Sequence, residues 1–97
     1  KDRTDISLAT DTNILTKTAH GYTTGNQVKF NGTLPGVGSG LITTSTVFFV
    51  SKTSDNTFTL HSNAADAASG ANEINFTAAS PTEVTVTTAT TANNNPI

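Results

Sequence analysis

Polar and apolar side chains alternate along this chain in short runs, and no stretch of comparable length carries a helical period. Gln27-Val28-Lys29-Phe30 sets Val28 and Phe30 on one side and the polar pair on the other. Thr57-Phe58-Thr59-Leu60-His61, Glu73-Ile74-Asn75-Phe76-Thr77 and Glu83-Val84-Thr85-Val86-Thr87 repeat the pattern. Successive side chains of an extended strand point to opposite faces, so this period predicts half-buried strands. Asn13 to Ala19, rich in threonine, reads as a further strand with Ile14 inward. Val47-Phe48-Phe49-Val50 is apolar on both faces. It is expected to be a central strand, or one whose outer face meets a partner.

Turn signals separate these runs at short spacing. Ser54-Asp55-Asn56 is expected to join two strands as a hairpin. Leu34-Pro35-Gly36-Val37-Gly38-Ser39-Gly40 is expected to be a surface loop. Ala64-Ala65-Asp66-Ala67-Ala68-Ser69 favours a single helical turn, with Asn63 to cap its start and Gly70 its end. The predicted fold is all-β: a small barrel or sandwich of six or seven short strands, with one alanine-rich helical turn and extended termini. Residues 1–12, with a weak Ile6/Leu8 alternation, are assigned as an N-terminal arm or edge strand. Residues 13–87 form the β domain, and residues 88–97 a low-complexity tail with Ile97 as its last packable side chain.

The expected interior draws on Ile14, Val28, Phe30, Leu41, Val47, Phe49, Phe58, Leu60, Ile74, Phe76, Val84 and Val86. Only 34% of the chain is hydrophobic, and adding its seven glycines still leaves it below the usual share of about 45–50%. A scant core gains from association with copies of itself or with a larger surface. Five Lys and Arg against seven Asp and Glu give a net charge of −2. Such a balance supplies no basic stripe for nucleic acid. The absence of cysteine excludes a disulfide framework, a thiolate nucleophile and a cysteine zinc site. No apolar run is long enough to span a membrane as a helix, and no signal peptide is visible. The sequence begins at Lys1, which implies a removed start or a longer parent chain.

His20-Gly21-Tyr22-Thr23-Thr24-Gly25-Asn26 gathers the residues that most resemble a site. A general base at His20 needs an orienting partner and a nucleophile within hydrogen-bond reach, and the spacing supplies neither. The structural alternative is a turn, with Gly25-Asn26 tolerating the positive φ of a tight turn, Gly21 where a Cβ would clash, and His20 and Tyr22 holding it or facing a neighbouring subunit. His61 falls on the outward phase of its strand and forms no metal-ligand spacing with His20. Asp55-Asn56 lacks the alternating oxygen ligands of a calcium loop, and the glycines of residues 36–40 lack the helix and the Lys-Ser/Thr of a phosphate loop. No cofactor, metal or catalytic residue is expected.

The order H-G-Y-T-T-G-N-Q-V-K-F-N-G-T, L-P-G, T-V-F-F-V, N-T-F-T-L-H, A-A-D-A-A-S-G and I-N-F-T resembles a small β module of bacteriophage virion proteins, over residues 14–77. Its fold is distantly similar to the half-domain that carries the first catalytic cysteine region of ubiquitin-activating enzymes, a likeness without shared chemistry in a chain free of cysteine. The resemblance implies a non-enzymatic virion component: a capsid cement (decoration) protein on the shell exterior. Its partners would be the major capsid protein and copies of itself in a homotrimer. The alternative is a tail-fibre or baseplate module that binds a host-surface glycan or neighbouring tail proteins. Phe48 and Val50, on the strand where apolar residues replace the module's usual tyrosines, are candidate contact points together with Tyr22, His20 and Ile97.

Overall fold

The computed structural model describes residues 2–38, 42–77 and 83–89. Its strands are β1 (Asp2–Leu8), β2 (Leu15–Thr16), β3 (Gln27–Phe30), β4 (Phe48–Lys52), β5 (Thr57–His61) and β6 (Glu83–Thr88). One helix, α1 (Ala64–Ser69), follows β5. The strands close into an antiparallel barrel in the order β1-β2-β5-β4-β3-β6. Among the described residues each strand pairs with a neighbour on both sides, which removes a template for edge-to-edge association.

The expected all-β barrel is the observed architecture. Ser54-Asp55-Asn56 does turn β4 into β5, with Lys52 opposite Phe58 and Val50 opposite Leu60. The helix begins and ends where the sequence predicts. Asn63 Oδ1 accepts the Asp66 amide at 2.8 Å. Gly70 takes the left-handed conformation (φ 72°) and donates its own N–H to Ala67. Both termini of this short helix thereby satisfy groups that its few turns leave unpaired.

Of the arm or edge strand expected near the start of the chain, Asp2–Leu8 forms a strand. β1 pairs with β2 on one side and β6 on the other, and so closes the barrel. The weak Ile6/Leu8 alternation is a true strand phase: Ile6 is fully buried and Leu8 nearly so. A bulge between Arg3 and Ile6, with Asp5 at φ 60°, breaks the regular ladder and hid the strand from a simple period-two reading. Glu73–Thr77, by contrast, is not a barrel strand. Phe76 makes an isolated bridge to Val37 in the Leu-Pro loop, and the Phe76 amide donates to Asn13 Oδ1 at 3.0 Å. This segment delivers Phe76 to the core, edge-on to Phe30 at a ring separation of 6.5 Å.

Two expected phases are inverted. In β2 the buried residue is Leu15, while Ile14 is only partly buried. In β4 Phe48 and Val50 face the interior, and Phe49 and Val47 are half-buried on the other side. Phe48 packs edge-on to Phe30 at 5.5 Å. Ile74 packs on the core from a partly buried position, and Leu41 lies outside the described residues. The interior therefore comprises Ile6, Leu8, Leu15, Tyr22, Val28, Phe30, Phe48, Val50, Phe58, Leu60, Phe76, Val84 and Val86.

Candidate functional site

The loop from β2 to β3 lies against the β4–β5 hairpin and is built almost entirely on hydrogen bonds to it. The Lys17 amide donates to Asn56 O at 2.8 Å, and the His20 amide to Asp55 O at 3.2 Å. Ala19 N–H donates to Asn56 Oδ1 at 2.9 Å. Further on, Gly25 N–H donates to Val50 O and Val50 N–H to Asn26 O, at 2.8 and 2.9 Å. Between these anchor points the Thr23–Asn26 turn closes on itself, with Asn26 Oδ1 accepting the Thr23 amide at 2.9 Å. Gly25 sits at φ 99°, a conformation that side chains with a Cβ avoid, which is why this turn needs glycine.

His20 is the keystone of the loop. Its Nδ1 accepts the Tyr22 backbone N–H at 3.0 Å. Its Nε2 faces two carbonyls, Ser54 O at 2.8 Å and Thr57 O at 3.0 Å. Carbonyl oxygens only accept, so Nε2 carries the proton and the imidazole is the neutral Nε2–H tautomer. Both ring nitrogens are therefore committed to backbone. The ring is 1% exposed and lies edge-on to Phe58, 5.1 Å between centroids. A general base or metal ligand needs a lone pair that can be offered to solvent or substrate, and His20 has none to offer.

Tyr22 completes the cluster. Its ring packs edge-on to Phe58 at 5.3 Å and beside His20 at 5.7 Å. Arg3 of β1 lies across its other side, with the guanidinium carbon 4.4 Å from the ring centroid. Arg3 Nε also donates to His20 O. Gly21, at φ 76°, leaves room for this cation, since a Cβ there would meet Arg3 Nη2 at 3.2 Å. Arg3 is a site residue that the sequence did not disclose: it stands seventeen positions from His20 and in no motif with it. Outside the cluster is an open hollow of about 330 Å³ bounded by Gly21, Tyr22, Lys52 and Asp55. Lys52 Nζ and Asp55 Oδ1 form an ion pair at 3.0 Å on its rim. At such exposure the pair contributes little to stability.

His61 is outward by strand phase, as expected, but it is not on the surface. α1 packs across β4 and β5 and covers that part of the barrel's outer face. His61 Nδ1 donates to Ala71 O at 2.7 Å, and Nε2 is 2.8 Å from Thr59 Oγ1. It ties the chain beyond α1 back to β5. Phe49, its antiparallel partner, remains half-buried between His61 and Gln27 on the same outer face. Among the described residues, no group of three or more His, Asp or Glu side chains is arranged to hold a metal ion.

The expected contact residues must be reassigned. Phe48, Val50, Tyr22 and His20 are at most 3% exposed, so none presents a side chain to a partner. Ile97 lies outside the described residues. The outer-face apolar residues of the doubly apolar segment are Val47 and Phe49 instead. Comparison with protein-family models, curated proteins and solved structures finds no match to this chain.

Proposed function

We propose that this protein is a non-enzymatic structural component of a bacteriophage particle, a cement protein that binds the major capsid protein on the shell exterior as a homotrimer. The observation that carries this reading is the use of His20. The segment His20 to Phe30, part of the resemblance to virion modules, has its one imidazole wholly occupied by backbone partners. The motif is then an architectural device, and activity resides on the outside of the barrel. There, the half-buried Phe49 and Val47 offer apolar contact in the strand where the sequence departs from the module's pattern. Each copy contributes a modest contact, and multiplication by shell symmetry raises the total stabilisation.

The glycan-binding alternative drew on an exposed Tyr22 as a stacking platform. That ring is enclosed by Arg3, His20 and Phe58, so this support is lost. The test is to mix the protein with expanded, undecorated capsids and sediment them, then to count copies per virion. Depletion from the supernatant and a copy number on the scale of shell subunits support the cement reading. A copy number on the scale of tail components, with no capsid binding, overturns it in favour of a tail module.

A further inference from the structure

The Asn31-Gly32 step occurs once in the chain and sits where β3 leaves the barrel. Asn31, Gly32 and Thr33 are all exposed. The Asn31 N–H donates to Thr85 O at 2.9 Å. Beyond it Gly32 adopts φ 92°, and nothing lies within 4 Å of where its Cβ would be. The step borders an open hollow of about 340 Å³ whose wall includes Asp5, Val84 and Thr85. The step is therefore exposed to water, and Gly32 is not a member of the β3 ladder.

We infer that Asn31 is a site of spontaneous covalent modification in the folded protein, converting to aspartate and isoaspartate through a cyclic imide. The Gly32 amide nitrogen loses its proton and bonds to Asn31 Cγ, while the Cγ–NH2 bond breaks and ammonia leaves. Water then adds to either imide carbonyl and opens the ring, restoring an aspartyl link or leaving an isoaspartyl one. No oxidant or co-reactant beyond water enters. Glycine makes the step accessible because no Cβ obstructs the approach of the side-chain carbonyl to the backbone nitrogen. The product places a second carboxylate beside the hollow that Asp5 already lines, and like charges so placed repel. The isoaspartyl form also lengthens the backbone by one methylene at the end of β3. Neither consequence depends on the capsid reading.

The test is to incubate the purified protein at mildly alkaline pH and physiological temperature, beside a free peptide spanning Lys29 to Leu34. Peptide mapping by mass spectrometry, an isoaspartate assay and anion-exchange chromatography follow conversion. The expected result is conversion at Asn31 within an order of magnitude of the free peptide's rate, ahead of every other asparagine, with a more acidic species accumulating. Asn31→Gln keeps an amide but disfavours the ring, and should suppress that species while far-UV circular dichroism remains unchanged. An intact Asn31 in the folded protein after the peptide has mostly converted overturns the inference. So does an acidic species that persists in Asn31→Gln.

Discussion

The Arg3 guanidinium carbon lies 4.4 Å from the centroid of the Tyr22 ring, so the first strand of the barrel clamps the loop between β2 and β3. The contact joins a cation to an aromatic face while Arg3 Nε holds the neighbouring His20 carbonyl. Arg3→Ala should therefore cost about 1–2 kcal/mol, combining a partly desolvated cation–π contact with a charge-assisted hydrogen bond. Arg3→Lys should recover only part of that, because an ammonium cannot stack and donate in the same geometry. Urea denaturation of the three proteins checks the order wild type, Lys, Ala. Equal stability of Lys and wild type would refute the two-contact account.

His20→Phe preserves a ring of similar shape but removes the donor to Ser54 O and the acceptor of the Tyr22 N–H, while Thr57 O keeps the Thr53 and Ser54 amides. Water reaches the exposed Ser54 but not the buried Tyr22, and stranding one such backbone N–H costs about 1–3 kcal/mol, so the variant should unfold at lower denaturant. In the wild type, long-range nitrogen–proton correlation spectra should show the His20 proton on Nε2. A proton on Nδ1 would contradict the loop geometry.

The inverted phase of β4 gives a sharp contrast between adjacent phenylalanines. Phe48→Ala removes a ring from the interior and should cost about 3–5 kcal/mol, enough to unfold much of a domain this small. Phe49→Ala removes a half-buried ring from the outer face and should cost clearly less. If the barrel binds a capsid through this face, Phe49→Ala should also weaken co-sedimentation with shells while keeping its melting behaviour. A larger stability loss at Phe49 than at Phe48 would reverse the assigned phase.

Removing residues 1–8 distinguishes a barrel strand from a dispensable arm. β1 supplies Ile6 and Leu8 to the interior and pairs with β6 and β2 to close the barrel. The truncated chain should lose its cooperative thermal transition, as judged by calorimetry. A retained transition near the wild-type temperature would mean that the barrel closes without β1.

Gly70→Ala isolates a backbone effect. The added Cβ would lie 4.0 Å from Ser51 Oγ, an ordinary contact, so the cost arises from φ 72° alone. That cost is about 1–2 kcal/mol for a residue with a Cβ. Asn63→Ala at the other end of α1 should cost about 1 kcal/mol through loss of the cap. Chemical denaturation of each variant gives both numbers directly.

The sequence by itself determined the all-β class, the strands β3, β5 and β6, the β4–β5 turn and both caps of α1. Each of these rests on a signal contained within a few neighbouring residues: a period of two, a glycine that adopts a left-handed bend without strain, or a side chain that bonds a nearby amide. Tertiary structure decided the rest. Val47-Phe48-Phe49-Val50 is apolar on both sides, and Ile14-Leu15 is apolar at adjacent positions, so alternation holds no information about which residue turns inward. That choice came from pairing with β3 and β5 and from α1 covering the outer face beside Phe49. Closure by β1, the burial of His61 beneath the segment after α1, and the grip of Arg3 on Tyr22 all join residues distant in the chain. Such contacts exist only once the barrel has brought their partners together.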